Sequence, residues 1–192
     1  MESKQYDQIA LLEQDNWWYE SKRKLFAKLI EHYCTPCATA LDIGCGTGAN
    51  MQVLRQWSRN VWGIDISKNA LSYCKKKGLR NIKQGSITSI PFPNNTFNLV
   101  ICSDVIEHVD DNTAIKEIHR VLKPKGHVII SVPAFRSLWN DNDDISKHLR
   151  RYRKKEVRSL LKQFSIEKLT YWNTSLFLPA WIMARKQKLL PS

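Results

Sequence analysis

The chain has 192 residues, of which 43% are hydrophobic, and it carries a formal net charge of +12. This length suits one domain and excludes two of ordinary size, and the hydrophobic content excludes a disordered chain. The polar start Met1–Gln5 argues against a signal peptide, and no apolar stretch is long enough to cross a bilayer. We therefore expect a cytoplasmic protein whose five cysteines are reduced.

The cysteines and the basic residues carry little specific information. Cys34 and Cys37 form a single C-x-x-C pair, whereas a zinc site normally needs a second pair of ligands. Basic residues concentrate between Lys147 and Lys162. Such a segment indicates either attraction to a polyanion or an ordinary solvated helix face, and both interpretations stay open.

Apolar periodicity and turn signals predict strands that alternate with amphipathic helices. The predicted strands are Ala38–Ile43, Val61–Asp65, Asn81–Lys83, Phe97–Cys102, His127–Val132 and Ser165–Tyr171. The predicted helices are Glu13–Tyr33, Ala49–Trp57, Lys68–Lys77, Asn112–Leu122, Glu156–Phe164 and a weaker one over Leu176–Ile182. This order predicts an α/β fold with a doubly wound, mostly parallel Rossmann-like sheet and helices on both faces.

Several predicted strands are followed directly by glycines or polar residues. The residues at these carboxyl ends are Asp42, Asp65, Gly85, Ser86, Ser103 and Asp104. Ligands of doubly wound sheets bind outside the carboxyl ends of the strands. The sequence therefore predicts one binding site at this edge of the sheet.

The turn after the first strand is rich in glycine. Gly44, Gly46 and Gly48 alternate with other residues, so the third glycine comes one position earlier than in the G-x-G-x-x-G pattern of dinucleotide sites. Asp42 stands inside this turn, where a carboxylate repels a pyrophosphate and attracts an ammonium group. Amides at the start of the following helix offer donors to a carboxylate or another anion.

The glycine turn, together with Asp65 after the second strand, resembles the class I S-adenosylmethionine-dependent methyltransferases. The resemblance implies that the backbone of the turn packs against the methionine part of the cofactor, with Asp42 near its amino group. It implies that Asp65 accepts hydrogen bonds from the ribose hydroxyls. The alternative is that Asp65 is a helix cap that precedes Ser67. The turn residues concerned are Gly44, Cys45 and Gly46.

The same resemblance assigns further residues to the cofactor. Ile66 lies against the adenine face, and Ser103 and Asp104 face the sulfonium after the fourth strand. Trp17–Tyr19, with Arg23, form a lid over the cofactor; the alternative is that one of the two tryptophans is buried as ordinary core. The residues that border the adenine edge are Gly85, Ser86 and Ile87.

The stretch Ser103–His108 looks like the corresponding part of quinone-biosynthesis O-methyltransferases. His108 is the candidate for lining the acceptor pocket and acting as a base, and Glu107 for binding backbone amides around the glycine turn. Some of those relatives bind a divalent cation through the acidic residues and the histidine. We identify no independently placed further ligand here, so we expect no required metal.

A second polar cluster follows the fifth strand, on the loop that covers the acceptor site in related enzymes. His148 is the catalytic candidate there; the alternative is a basic helix start with an exposed histidine. The members of the cluster are Trp139, Asp144, His148, Arg151 and Tyr152.

Three regions follow from this organisation: an N-terminal helical lid over 1–37, a cofactor-binding domain over 38–173 and an apolar, basic tail over 174–192. The final antiparallel strand of the related fold has no counterpart in the sequence. Either the protein is a shortened version or the sequence stops early, and the tail, a partner such as a second copy, or lipid covers the sheet edge.

These residues predict a methyltransferase that moves the methyl group of S-adenosylmethionine to a small-molecule acceptor and releases S-adenosylhomocysteine. No Asn/Asp-Pro-Pro-aromatic motif for exocyclic amines follows the fourth strand. One alternative function is RNA modification, which only the net charge supports. A second alternative is a non-catalytic protein that binds the cofactor. The basic segment and tail predict contact with an anionic membrane surface rather than a specific nucleic acid.

Overall fold

The computed structural model describes residues 16–189, with side chains through Arg185. Across these residues, five strands form one sheet in which every neighbouring pair is parallel, in the order β3-β2-β1-β4-β5. The strands are β1 (Cys37–Ile43), β2 (Ser58–Asp65), β3 (Ile82–Gln84), β4 (Phe97–Ser103) and β5 (Leu122–Ser131). The predicted doubly wound α/β fold is confirmed.

Seven α-helices in the described residues connect or follow the strands. They are α1 (Trp17–Tyr33), α2 (Ala49–Leu54), α3 (Lys68–Lys76), α4 (Asp111–Val121), α5 (Asp141–Ile145), α6 (Lys154–Leu160) and α7 (Phe177–Leu189). Ser67 caps α3 through a hydrogen bond from the amide of Ala70, as its position in the sequence predicts. No helix over residues 16–189 combines the length and apolarity that crossing a membrane requires.

Apolar side chains pack on both faces of the sheet because neighbouring residues of a strand point to opposite sides. Leu41 and Val100 belong to one cluster, which includes the apolar face of α4. Ala40 and Leu99 belong to the other, together with buried residues of α1, α2 and α3. This two-sided burial explains why β1 and β4 are nearly continuous apolar runs.

The register of the sheet brings the predicted site residues to one edge. Ile43 pairs with Ile64 on one side and with Cys102 on the other, so Gly44, Asp65 and Ser103 follow at neighbouring strand ends. Parallel pairing therefore brings segments that are distant in sequence to one side of the sheet.

Two sequence expectations around β5 need correction. The strand predicted over His127–Val132 begins earlier, at Leu122, and ends at Ser131. Pro124–Gly126 form an irregularity within it, because the partner of Phe97 is Leu122 whereas the partner of Leu99 is His127. Lys125 adopts a φ of 62°, which fits this local bulge.

The predicted strand Ser165–Tyr171 is wrong: this segment contains no strand. It stands apart from β5, the edge strand, and its aromatic end packs elsewhere. The ring of Tyr171 lies 4.5 Å from that of Phe135, and its hydroxyl accepts a hydrogen bond from the amide of Lys154. The weaker C-terminal prediction is confirmed by α7, whereas the predicted start of the first helix at Glu13 and the end of the tail lie outside the described residues.

Candidate functional site

The three glycines of the turn after β1 all adopt positive φ, and only one faces open space. A Cβ atom on Gly44 would lie 2.3 Å from Val105, and one on Gly48 would lie 2.2 Å from Leu79. A Cβ atom on Gly46 would have no neighbour within 4 Å. Gly44 and Gly48 therefore permit close packing of the turn, whereas Gly46 leaves its backbone accessible to a ligand.

The carboxylate of Asp65 connects two turns at the carboxyl edge of the sheet. One oxygen accepts a hydrogen bond of 3.0 Å from the amide of Gly46, and the other accepts one of 2.8 Å from the amide of Ser67. Burial raises the pKa of Asp65, and these amide hydrogen bonds act in the opposite direction. The capping contact near Ser67 is present, and the contact with a ribose stays a prediction.

Asp42 and Cys45 lie beneath the same turn. Asp42 is fully buried in β1. Its expected position near the amino group of the cofactor stays a prediction. A hydrogen bond with Cys74 and burial raise the pKa of the Cys45 thiol, while Cys74 donates to the carbonyl of Gly46 over 3.3 Å. The Cys45 side chain thus supports the turn from inside the protein.

The residues expected around the adenine lie beyond β2 and β3. Ile66 is 72% exposed beside the turn, which leaves an apolar surface free for a ring. Ser86, next to Gly85, interacts through its hydroxyl with the hydroxyl of Thr88 over 2.8 Å, and Ile87 is buried. Their contact with the cofactor stays a prediction.

At the ends of β4 and β5, Asp104 forms an ion pair with Lys22 of α1. Asp104 adopts a φ of 56°, which is uncommon for a residue other than glycine, and it accepts a hydrogen bond of 3.3 Å from Ser131. The neighbouring Ser103 hydroxyl lies 3.1 Å from that of Ser131. This network holds the first described helix against the carboxyl edge of the sheet.

The sequence pointed to Arg23, but its neighbour Lys22 reaches Asp104. Arg23 instead borders a shallow surface groove between α1 and α2, with Gln52 on the other side. Lys22 follows Trp18 by four residues and so shares its helix face. Trp18 packs against Trp172 in a tilted arrangement with ring centroids 4.5 Å apart, so this face of α1 contacts the rest of the protein. The spacing of four residues between Trp18 and Lys22 is the sequence signal for that face.

A short 3-10 helix after β4 places Glu107 and His108 near His148. Glu107 is fully buried, and neither of its carboxylate oxygens has a hydrogen-bond partner among the described residues. Burial and the charge of Asp104 raise the pKa of Glu107 to about 8. The expected role for Glu107, binding amides of the glycine turn, is therefore wrong.

The rings of His108 and His148 meet edge to face, with centroids 4.7 Å apart. Burial and the nearby His148 lower the pKa of His108. A ligand atom from each of Glu107, His108 and His148 lies within 4.8 Å of the other two. The structure therefore brings together the two histidines that the sequence proposed separately, with a buried carboxyl group beside them.

Asp143, which the sequence analysis missed, fixes the orientation of His148. It is buried, lies 2.8 Å from Nδ1 of His148, and accepts two hydrogen bonds from Arg151 of 2.8 and 2.7 Å. Burial alone would raise the pKa of Asp143, but hydrogen bonds from Arg151, Asn140 and His148 hold it below its ordinary value. The signal was the N-x-x-D spacing from Asn140, which forms a capping box at α5.

The other members of that second cluster have different environments. Asp144 accepts a hydrogen bond from the indole of Trp139 over 3.1 Å. Tyr152 is buried in the core, where its hydroxyl donates to Asp111. Arg150 pairs with Asp111 and Glu156, and Arg151 pairs with Asp143, so two arginines of the basic segment are engaged in ion pairs within the protein.

A groove of about 1650 Å³ runs along β5, between this edge strand and residues 163–174. Most of its exposed lining is apolar, and Asp104 and Ser131 stand at one end. That end lies beside the carboxyl edge of the sheet, which links the groove to the predicted site.

The residues at this edge fit S-adenosylmethionine chemically. The open space that faces Gly46 admits a ligand, and the Asp65 carboxylate beside this glycine can accept hydrogen bonds from hydroxyl groups. The exposed Ile66 side chain provides an apolar surface for an aromatic ring. Acidic groups near the turn suit a cationic ligand better than a pyrophosphate.

Comparison with known proteins gives a consistent assignment. Residues 41–130 match the methyltransferase domain family. An uncharacterised protein of Methanocaldococcus jannaschii is 36% identical over 147 residues, which cover 73% of this chain and 59% of that protein. A demethylmenaquinone methyltransferase of Geobacillus is 39% identical over 100 residues, covering 47% of this chain and 43% of that enzyme.

The solved structure of YcgJ from Bacillus subtilis shares the fold. It superimposes with a TM-score of 0.69 and 23% identity, covering 88% of this chain and 81% of that structure. The chain spans less than two thirds of the length of the first curated relatives that it matches, with 59% of the archaeal protein covered.

Proposed function

Because the chain belongs to the class I superfamily of S-adenosylmethionine-dependent methyltransferases, we propose that it methylates a small-molecule acceptor. The observation that carries this proposal is the open face of Gly46, held by the carboxylate of Asp65 at the carboxyl edge of the sheet. S-adenosylmethionine supplies an electrophilic methyl group when bound. The protein's own contribution is to position the reacting atoms and to exclude water.

We assign the cofactor side of the site to the turn after β1 and to the ends of β2 and β3. Gly44, Cys45 and Gly46 face the methionine part with their backbone, and Asp65 binds the ribose hydroxyls. The remaining contacts are assigned as in the resemblance, with Asp42 toward the amino group. Ser103 and Asp104 complete the site from the end of β4, where Lys22 holds the Asp104 carboxylate.

We assign the acceptor side to His108 and His148. Nδ1 of His148 is engaged by the buried Asp143, which leaves Nε2 to take a proton from an acceptor hydroxyl or amine. His108, whose pKa is lowered, is neutral near pH 7 and can also accept a proton. A base of this kind is needed only when the acceptor loses a proton during transfer.

A small apolar acceptor is favoured over RNA. One relative is named a demethylmenaquinone methyltransferase, and an apolar acceptor of that kind is suited to the groove along β5. The RNA alternative depended on the basic segment Lys147–Lys162. Arg150 and Arg151 of that segment pair with acidic side chains, which reduces the cationic surface available to a phosphate backbone.

Calorimetric titration with S-adenosylhomocysteine tests the cofactor assignment. We expect one binding site per chain and no binding of NAD, because the glycine spacing and Asp42 disfavour a pyrophosphate. Binding of NAD without S-adenosylhomocysteine would overturn the proposal. Failure to bind either ligand would also remove its basis.

A further inference from the structure

Outside the predicted cofactor contacts, one cluster of side chains has the composition of a metal site. Glu107, His108 and His148 each offer a ligand atom, and the three atoms lie within 4.8 Å of one another. The backbone fixes this proximity, since the amide of Leu149 donates a hydrogen bond of 2.7 Å to the carbonyl of Glu107. Two segments about 40 residues apart in sequence thus meet at this cluster.

The carboxyl group of Glu107 indicates a ligand that the protein itself does not provide. It is fully buried, and both of its oxygens lack a hydrogen-bond partner among residues 16–185. A buried carboxyl group whose oxygens have no hydrogen-bond partner is costly, and a cation bound beside it would compensate this cost. The group lies beside two imidazoles, which are the commonest nitrogen ligands of metal ions in proteins.

His148 has the support that metal-binding histidines usually have. Its Nδ1 interacts with the buried carboxylate of Asp143 over 2.8 Å, and Asp143 is in turn held by Arg151. This pairing fixes the ring orientation and leaves Nε2 as the coordinating atom. The arrangement is already present in the protein, so a cation would find His148 oriented.

Asp104 does not belong to this cluster. Its carboxylate pairs with Lys22 and accepts a hydrogen bond from Ser131. The ligand set that the resemblance suggests, in which this acidic residue takes part with Glu107 and His108, is therefore not assembled. His148, from the loop after α5, takes its place and provides an independently placed ligand, which is not apparent from the sequence.

We propose that Glu107, His108 and His148 bind a divalent transition-metal ion, with Asp143 and Arg151 as positioning residues. Two imidazole nitrogens and one carboxylate favour Zn²⁺, Co²⁺ or Fe²⁺ over Mg²⁺ and Ca²⁺, which prefer oxygen ligands. His108 reaches the surface, so further coordination positions on that side are open to water or a small ligand.

A bound cation changes what the cluster does for the proposed methyl transfer, on which this part of the inference rests. Glu107, His108 and His148 would then hold the cation, so the histidines would be ligands instead of bases, and the cation would supply Lewis-acid activation of an acceptor hydroxyl. Cation binding itself depends on neither the cofactor nor the acceptor. The two proposals can therefore fail separately.

Titration of the metal-free protein with Co²⁺ tests the site without any methyl-transfer assay. We expect one equivalent to bind with visible absorption bands of nitrogen and oxygen ligation, and Zn²⁺ to displace it. A tenfold excess of Mg²⁺ should not displace the bound Co²⁺. Absence of stoichiometric binding would overturn the proposal, as would the near-ultraviolet absorption of cobalt–thiolate bonds, which would assign the metal to cysteines.

Matched histidine variants locate the ion. His148→Asn and His108→Asn should each weaken Co²⁺ binding at least about tenfold, and Asp143→Asn about 10–100-fold through loss of orientation. His119→Asn is the control, because His119 packs on Phe164 away from the cluster. If His148→Asn bound Co²⁺ as tightly as His119→Asn does, the proposal would be overturned. If a variant does not fold, the absorption spectrum of Co²⁺ in the unaltered protein shows whether nitrogen and oxygen atoms or thiolates are the ligands.

Discussion

At the scale of single residues, Asp65 combines a structural contact with the proposed binding of cofactor. Its two oxygens already accept hydrogen bonds from the amides of Gly46 and Ser67. Each carboxylate oxygen can accept more than one hydrogen bond, so ribose hydroxyls can be added without breaking these contacts. The carboxylate therefore orders the glycine turn and is available to the ligand.

Replacing Asp65 with Ala should weaken the binding of S-adenosylhomocysteine by about 1–3 kcal/mol, because charge-assisted hydrogen bonds to the ribose are lost. Calorimetry measures the change. Asp141→Ala is the matched control, since Asp141 is an exposed aspartate at the start of α5. An affinity equal to that of the control variant would remove Asp65 from the site.

Gly46 and Gly78 form a natural comparison. Both adopt positive φ, at 52° and 73°, and neither has an atom within 4 Å of an added Cβ. Gly46→Ala and Gly78→Ala should each reduce the free energy of unfolding by about 1–2 kcal/mol through backbone strain. Only Gly46→Ala should also lose affinity for S-adenosylhomocysteine, at least about tenfold by calorimetry.

The comparison would go against the assignment if the two alanine variants kept the same affinity for S-adenosylhomocysteine. Denaturant unfolding of both proteins is the accompanying measurement. If the two variants lose similar stability, a difference in their binding of S-adenosylhomocysteine comes from where the alanine side chain is placed and not from backbone strain.

The sequence predicted those site residues whose signal is local. The spacing of the glycines and the position of Asp65 after a strand are visible within a few residues. Lys22 was missed because its partner, Asp104, is 82 positions away. Asp143 was overlooked beside Asp144 because both are acidic, and only the capping geometry at Asn140 shows which one turns inward.

At the scale of elements, an ion pair fastens the loop before β4 to α4. Arg120 donates hydrogen bonds to both oxygens of Glu117 and to the carbonyls of Ile90 and Phe92. Glu117 also accepts a hydrogen bond of 2.7 Å from the amide of Ile90. These contacts fix the irregular connection between β3 and β4 without a strand or helix.

The Glu117 contacts make stability depend on pH in a defined direction. The hydrogen bond from Arg120 holds the pKa of Glu117 below its ordinary value of 4.5. The contribution is therefore complete above 4.5 and is lost as the pH falls through the lowered value in the folded protein. Glu117→Gln should cost about 1–2 kcal/mol at neutral pH, and the cost should shrink in acid.

Urea unfolding of the two proteins at neutral and acidic pH measures this difference. Glu167→Gln is the control, since Glu167 is exposed, and should change stability by less than about 0.5 kcal/mol. A difference between Glu117→Gln and the unaltered protein that stays constant with pH would contradict the ion-pair account.

Periodicity predicted the strands and helices of the sheet and missed features that depend on neighbours. The predicted strand His127–Val132 missed Leu122 and the bulge at Pro124–Gly126, which belong to β5 because β4 offers pairing partners on both sides of the bulge. The segment 165–171 has strand-like apolar residues but lies across the groove from β5. Whether an apolar segment pairs depends on the edge available to it, which its own sequence does not specify.

At the scale of the whole molecule, the C-terminal helix α7 presents exposed apolar side chains next to a cation. α7 exposes Leu178, Ile182 and Met183, and Arg185 stacks on Trp181 at 4.5 Å. Apolar side chains beside cations suit the headgroup region of an anionic bilayer. We propose that this end of the protein contacts such a surface.

The protein should co-sediment with vesicles that contain phosphatidylserine, and added salt should weaken this binding. Leu178→Ser with Met183→Ser should reduce it, whereas Ile145→Ser with Leu149→Ser should not, although these two residues are equally exposed. A protein that ignores the vesicles yet shifts RNA with a steep salt dependence would favour the nucleic-acid interpretation instead.

Transfer of tritiated methyl groups measures the proposed activity and the class of its acceptor together. The protein is incubated with labelled S-adenosylmethionine and, in separate reactions, with a small-molecule extract and with total RNA. We expect label in the small-molecule products, and loss of that label in Asp65→Ala. Label in RNA alone, or none in either reaction from a protein that binds S-adenosylhomocysteine, would contradict the proposed methylation of a small molecule.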